Sequence, residues 1–228
     1  MKKIILLLGL VVAIFAAEHK GLSMPKNYRA VPFAKAEILQ SGENKMYCSK
    51  CGMTLPMFYK TNHVATVDGN VTQFCSMFCL IEAINSAKEV KDIKVVDNTT
   101  LKFIPANSAF YVVGSSKPAT MAAKVSKYAF GTKDAANKFM QNFGGKIMSF
   151  KDALELAKKD FKSDSQAKKI RQVKAAKKGE KIYNSKCKPI EKKFNSVAEA
   201  KSYIKSSKVC GDLKGKALQA TALYLLSK

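Results

Sequence analysis

Four of the six cysteines fall within a stretch of 32 residues, and their spacing constrains the fold more than any other feature of the sequence. They are Cys48, Cys51, Cys75 and Cys79. The spacing is C-x2-C, then 23 residues, then C-x3-C, which lets two close pairs converge on one ion. Thiolates are soft ligands that suit Zn(II) and Cu(I), and the thioethers of nearby Met53 and Met77 suit Cu(I). The sequence therefore predicts a metal site.

The N-terminus is typical of an exported protein. Two lysines precede an apolar run over residues 4–17, which has the length of a signal-peptide core and is short for a bilayer span. We expect residues 1–17 to be a signal peptide or an N-terminal anchor, and the body of the protein to be periplasmic. A membrane is a partner only if the signal is retained. Because the periplasm is oxidising, disulfides are an alternative fate for the clustered cysteines.

The chain is strongly basic, with 40 lysines and arginines against 17 acidic residues and a net charge of +23. Nearly all of the basic residues are lysines, whereas arginine is preferred for bidentate contacts to bases and phosphates. No helix-turn-helix, RNA-binding or zinc-finger pattern accompanies the charge. We therefore expect no nucleic-acid partner and interpret most lysines as a solvated surface.

Alternating segments predict an α+β fold built from two tandem ββαβ units. In the first unit, strands at 63–67 and 71–75 flank an Asp68-Gly69 turn, a helix begins after Ser76, and a strand covers 93–97. This order places Cys75 and Cys79 at the start of a helix. In the second unit, strands at 109–113 and 127–131 precede a helix capped by Thr132 and a strand at 146–150.

The remaining segments have no such pattern. We expect an extended arm over 18–44, a metal-binding domain over 45–161, a basic linker or solvated helix over 162–178, and a small all-α module over 179–228. Ser149 is expected to cap a helix, and Ser196 with Glu199 forms a capping box. A disulfide between Cys187 and Cys210 would stabilise a module too small for a large core.

Catalysis is disfavoured by the sequence. A nucleophilic cysteine needs a base within reach, and His63 is the one histidine inside the cysteine-bearing unit. The C-x2-C spacing would permit thiol redox chemistry, but the chain lacks the tryptophan that flanks such motifs in thioredoxin-like enzymes. We therefore expect that the protein is not an enzyme, with an exported module stabilised by zinc or disulfides as the alternative to copper binding.

A series of motifs resembles the NosL family of nitrous oxide reductase accessory proteins. The motifs are residues 46–53 (MYCSKCGM), 73–76 (QFCS), 120–121 (TM), 128–131 (YAFG) and 143–147 (FGGKI). The resemblance implies two ββαβ units related to the organomercurial lyase fold, and export. It also implies Cu(I) binding and a role in assembling the copper sites of nitrous oxide reductase. Matching the family motifs places Cys51, Met53 and Met121 among the ligands.

The sequence also departs from this family, because it lacks the lipid-accepting cysteine of many members and has more cysteines than is usual. Its ligand set can therefore differ, and zinc remains an alternative metal. The leading hypothesis is a periplasmic Cu(I) metallochaperone whose partner is nitrous oxide reductase or another periplasmic copper protein. Its candidate ligands are the four clustered cysteines with Met53, Met77 and Met121.

The C-terminal module resembles a small c-type cytochrome at residues 179–187 (GEKIYNSKC) and at its last helix. Covalent haem attachment requires C-x-x-C-H, but Cys187 is followed by Lys188, Pro189 and Ile190. We therefore expect a cytochrome-like module without haem. A cytochrome-related electron-transfer protein is the corresponding alternative function.

Overall fold

The computed structural model describes residues 27–228, which form two small antiparallel sheets followed by one long helix and two shorter helices. This architecture confirms the predicted α+β class with a C-terminal all-α module. The predicted signal peptide or anchor, residues 1–17, lies outside the described residues, as does the arm up to residue 26. The rest of the arm packs onto the first unit, because Ala30 and Val31 are buried and the Gln73 backbone N–H donates to Gln40 Oε1 at 2.8 Å.

The first unit contains every element of the predicted ββαβ order and adds a fourth strand. Its elements are β1 (His63–Val67), β2 (Asn70–Phe74), α1 (Met77–Ile84), β3 (Val90–Val96) and β4 (Phe103–Pro105). The strands pair in the order β2-β1-β3-β4. Asp68 and Gly69 join β1 to β2 with φ of 46° and 84°, the two left-handed positions that a tight hairpin turn requires.

The second unit repeats this order without cysteines. Its elements are β5 (Phe110–Val113), β6 (Lys127–Phe130), α2 (Lys133–Phe143) and β7 (Lys146–Met148), and the strands pair in the order β6-β5-β7. The Thr132 hydroxyl accepts a hydrogen bond from the Ala135 backbone N–H, as a cap does. The predicted repeat of two ββαβ units is therefore present.

Two buried polar residues of the first unit join it to the second. The Asp97 carboxylate accepts a hydrogen bond from the Gly131 backbone N–H at 3.1 Å, which helps to hold its pKa below the usual value despite burial. His63 Nε2 lies 3.2 Å from the Tyr111 hydroxyl, and their rings stack. These contacts, with a hydrophobic core shared by both units, make one body of the two repeats.

One helix, α3 (Phe150–Lys186), runs for 37 residues and contains the whole basic segment at 162–178. Of the two alternatives expected for that segment, a linker or a solvated helix, the helix is the one present, and the linker is excluded. Its residues are mostly lysine, alanine and glutamine, which favour helix, and neither glycine nor proline interrupts them before Gly179. The Ser149 hydroxyl caps the helix by accepting from the Asp152 N–H at 3.1 Å, as predicted. Among residues 27–228, no helix combines the length and apolarity needed to cross a bilayer.

The C-terminal module consists of the end of α3 with α4 (Val197–Ser207) and α5 (Gly215–Ser227) around a core of its own. The predicted disulfide between Cys187 and Cys210 is present. The Ser196 hydroxyl caps α4 through the Glu199 N–H, while the Glu199 carboxylate accepts from the Asn195 N–H instead of from the cap residue. The module is thus stabilised by a small core and one covalent link.

Gly179 allows α3 and α5 to pack in backbone contact. A Cβ atom at residue 179 would lie 2.0 Å from the Ala220 carbonyl oxygen and 2.9 Å from the Thr221 nitrogen. Real Cβ atoms do not approach backbone this closely, so the two helices would have to separate.

We expect Gly179→Ala to lower the free energy of unfolding by roughly 1–3 kcal/mol, the usual cost of overpacking. Helix propensity alone would give the opposite sign, because alanine favours a helix interior by about 1 kcal/mol over glycine. Urea unfolding followed by circular dichroism measures the effect. Lys178→Ala on the exposed side of the same helix is the matched control, and stabilisation by Gly179→Ala would contradict this packing.

His63 is fully enclosed between the two sheets, and its exposed fraction is 1%. Its Nδ1 lies 3.1 Å from the Thr61 carbonyl oxygen, which requires a protonated Nδ1 and leaves Nε2 to accept from Tyr111. Burial lowers the pKa of His63 to about 4, so the folded protein holds it neutral at physiological pH.

The pKa of His63 is about 4 in the folded protein and 6.5 in an unfolded chain. Between these two pH values the unfolded chain therefore binds more protons than the folded protein. Stability should therefore fall as pH falls, by about 2 kcal/mol between pH 7 and pH 5. Urea unfolding of the reduced protein across this range measures the loss. The His63→Gln protein lacks the titrating group and should lose correspondingly less stability over the same range; equal losses in both proteins would contradict the assignment.

Candidate metal centre

The four clustered cysteines converge on one point beneath the protein surface. Their sulfur atoms all lie within 4.8 Å of one another, and each side chain is buried. Cys75 Sγ is 3.5 Å from Cys51 Sγ and 3.7 Å from Cys79 Sγ. The edge of a tetrahedron of sulfurs at a metal–sulfur bond length of ~2.3 Å is about 3.8 Å. The sulfur positions thus fit a four-coordinate ion.

Two kinds of local structure deliver these sulfurs. Cys48 and Cys51 lie on a tight turn, the knuckle (residues 47–54), in which the Cys48 N–H donates to the Met53 carbonyl and the Gly52 N–H to the Cys48 carbonyl, both at 2.8 Å. Gly52 has a φ of 70°, which suits glycine. The other pair lies where β2 ends and α1 begins, with Cys75 just before the helix and Cys79 in its first turn.

All four cysteines are free thiols, so the disulfide alternative does not describe this cluster. The observed sulfur separations of 3.5 and 3.7 Å are far longer than the ~2.0 Å of a disulfide bond. The structure therefore separates the six cysteines into a thiol cluster and one distant disulfide.

The thiols share negative charge unequally. Burial alone would raise the pKa of Cys48, but hydrogen bonds involving the thiols of Cys51, Cys75 and Cys79 outweigh it and lower that pKa well below the usual value. The pKa of Cys75 is raised well above the usual value by burial and by its hydrogen bonds to Cys48 and Cys51. Hydrogen bonds to its three partners, followed by burial, do the same for Cys79. The raised pKa values of Cys75 and Cys79 mean that a metal binding to them must displace their protons.

The three candidate methionines belong to the same hydrophobic core as the cysteines. Met77 is buried in it, and Met53 and Met121 pack against it partly exposed. Thioether ligation by any of them stays a prediction. Each is equally accounted for as a core side chain, the common role of methionine.

Met121 has the most unusual backbone of the three. Its φ of 62° lies in the left-handed region, which is uncommon for a residue other than glycine and is concentrated at functional sites. The preceding Thr120 hydroxyl lies 2.8 Å from the Thr61 hydroxyl, which in turn lies 2.8 Å from the Cys75 carbonyl oxygen. These contacts tie the loop of Met121 to the junction of β2 and α1 that carries Cys75.

Two lysines that the sequence does not single out flank the thiols. Lys168 of α3 forms an ion pair with Glu82, which outweighs burial and raises the Lys168 pKa, with smaller contributions from Cys79 and Cys51. Lys201 of α4 is 1% exposed; burial lowers its pKa to about 8, opposed by the negative charge of Cys51 and Cys48. Neither could be found from sequence, because each is one lysine among many and reaches the site only through the path of the C-terminal helices.

Comparison with known proteins identifies the family to which the cysteine-bearing part of the chain belongs. The crystal structure of the copper chaperone NosL from Shewanella denitrificans is 25% identical, covers 50% of this chain and 91% of that chain, and gives a TM-score of 0.39. No curated protein sequence matches the chain. The family model for NosL matches residues 40–156, just over half of the chain, and ends before the C-terminal module, whose likeness to a cytochrome c stays a prediction. Because the matched segment contains all four clustered cysteines and both ββαβ units, the chain belongs to the NosL family.

Proposed function

We propose that this protein is a periplasmic Cu(I)-binding metallochaperone whose cargo is held by the thiols of Cys48, Cys51, Cys75 and Cys79. The observation that carries the proposal is the convergence of four buried sulfurs within 4.8 Å of one another in a member of the NosL family. Delivery to nitrous oxide reductase is the expected task, as the NosL resemblance implies. The family assignment also confirms the prediction that the chain is not an enzyme.

Cu(I) suits this site because every candidate ligand atom is sulfur. Thiolate and thioether are both soft, and Met53, Met77 and Met121 occur in the same core as the thiols. A chaperone must also give its ion away, which requires that a ligand of the recipient enter before an old ligand leaves. A weakly held thioether ligand would favour such an exchange, and the basic surface would guide the protein to an acidic recipient.

A structural zinc site is the second candidate, and a specific observation favours it. The four thiols are buried, and Cys75 Sγ lies 3.5 Å from Cys51 Sγ and 3.7 Å from Cys79 Sγ. This geometry matches the closed tetrahedral four-cysteine sites in which zinc stabilises a fold. In this case the protein would be an exported interaction module with no copper traffic. Metal analysis separates the two functions.

Reduced protein titrated without oxygen against a colorimetric Cu(I) chelator should take up about one Cu(I) per chain, held by soft ligands. Cys51→Ser should lose most of this uptake, because it removes one of the four clustered sulfur ligands. Met121→Ala should weaken retention if its thioether is a ligand. Met140→Ala is the matched control, because Met140 packs in a different cluster against the second sheet.

Delivery is tested by mixing the loaded protein with metal-free nitrous oxide reductase and following copper in each. Transfer faster than from a small-molecule complex at the same free Cu(I) supports a chaperone. A tightly held zinc ion that copper does not displace would contradict the copper proposal and support a structural zinc site.

Metal affinity should also decrease as the pH decreases. Since the pKa values of Cys75 and Cys79 are raised, both thiols are protonated at neutral pH, and a metal must displace at least these two protons. The apparent affinity should therefore drop by at least ~100-fold for each unit of decreasing pH near neutrality. Competition titrations at pH 6, 7 and 8 with a chelator of known protonation measure the slope, and a pH-independent affinity would contradict the assigned protonation.

A further inference from the structure

The C-terminal module folds back onto the knuckle that carries Cys48 and Cys51, although it lies more than 120 residues further along the chain. Lys201 of α4 donates to the Gly52 carbonyl at 2.6 Å, and Gln219 Nε2 of α5 donates to the Cys51 carbonyl at 3.0 Å. On the outer side, the Ser202 hydroxyl donates to the Glu43 carbonyl at 3.1 Å. Helices α4 and α5, which lie outside the segment that matches the NosL family, therefore form hydrogen bonds to the backbone of the turn that carries Cys48 and Cys51.

Gly52 of the knuckle packs against Val197 so closely that no Cβ atom would fit between them. A Cβ atom at residue 52 would lie 2.4 Å from Val197 Cγ1 at the start of α4. Gly52 therefore serves two purposes, since it permits the turn of the knuckle and leaves room for the C-terminal module. The knuckle cannot swing outward at this point without displacing α4.

Lys201 is a buried cation without a carboxylate among its hydrogen-bond partners. Its three N–H donors are matched by three neutral acceptors, which are the Gly52 carbonyl at 2.6 Å, Gln219 Oε1 at 3.0 Å and the Thr54 hydroxyl at 3.2 Å. The Tyr47 ring lies 4.2 Å from the same nitrogen. A buried ammonium with neutral acceptors is costly unless an anion is near, and metal-bound thiolates at Cys48 and Cys51, in the turn that Lys201 contacts, would supply one.

We propose that the C-terminal module is a cap that retains the metal, with Lys201 and Gln219 as positioning residues that hold the knuckle closed. The inference rests on metal binding at the four cysteines, as proposed above, and applies to either ion. Four thiolates around Cu(I) or Zn(II) carry a net negative charge, which the ammonium of Lys201 partly balances. The hydrogen bonds to the carbonyls of Cys51 and Gly52 orient the turn behind the ligands, as partners outside the coordination sphere commonly do.

Release of the ion then requires movement of this cap or of the knuckle beneath it. A recipient that binds the C-terminal module would loosen the hydrogen bonds to Cys51 and Gly52 and expose the sulfurs of one cysteine pair. The other pair, on the rigid junction of β2 and α1, would keep the ion until the recipient's ligands replace it. Opening of the cap would thus precede departure of the cargo.

The test uses the full-length protein with Lys201→Met or Gln219→Ala, loaded with Cu(I) without oxygen or separately with Zn(II). Mixed with an excess of a colorimetric chelator, both variants should lose metal roughly 10- to 100-fold faster than the unsubstituted protein. Lys205→Met is the matched control, because Lys205 lies one turn further along α4, is exposed and pairs with Asp212 at 2.7 Å. Release from both variants at the unsubstituted rate would overturn the proposal.

Alkylation of the metal-free proteins, resolved by mass spectrometry for each cysteine, separates a cap from general stability. Cys48 and Cys51 should become more reactive in both variants, while Cys75 and Cys79 keep their reactivity. An equal rise at all four would indicate a loosened domain and contradict the cap. Gln219→Ala keeps the buried charge and removes a half-buried side chain, so it remains informative if Lys201→Met fails to fold. If the unsubstituted protein takes up no Cu(I), the copper function fails, whereas zinc release and alkylation still decide the cap.

Discussion

The structure depends on the burial of four thiols in one water-excluded cluster. Burial disfavours thiolates there, and together with hydrogen bonds among the thiols it raises the pKa values of Cys75 and Cys79, whereas hydrogen bonds from its partners lower the pKa of Cys48. A bound metal ion would take the place of the thiol protons and neutralise the thiolates that burial disfavours. The two cysteine pairs, the lysines beside them and the helices that deliver those lysines are all arranged around this electrostatic requirement.

The long helix α3 makes that arrangement possible. It begins at the edge of the second sheet, stacks Phe161 against Phe78 of α1 at 5.1 Å and pairs Lys168 with Glu82. It then packs against α5 at Gly179, so that α4 and α5 return to the knuckle. A flexible linker in its place would leave the C-terminal module free of the site. The continuous helix gives the module one position, and that position is over Cys51 and Gly52.

Both ββαβ units could be predicted from sequence because their signals are local. The Asp68-Gly69 turn, the cap at Thr132 and the short alternating strands each act within a few residues, and each is present. The basic segment at 162–178 was harder, because lysine-rich sequence suits both a linker and a solvated helix. Helix propensity and contacts with α1 and α5 decided in favour of helix.

The sequence by itself determined the ligands that this protein offers, four cysteines in two close pairs within a NosL motif series, whereas the structure decided that these four are free thiols. Spacing along the chain is enough for the two pairs, since a C-x2-C turn and a cysteine pair at a helix start are local structures. Only the tertiary structure decided that Lys201 and Gln219 lie on the knuckle, because 40 basic residues give no sign of which one is buried. Contacts that span about 150 residues or more depend on how whole helices pack, and they decide how tightly the cluster is enclosed.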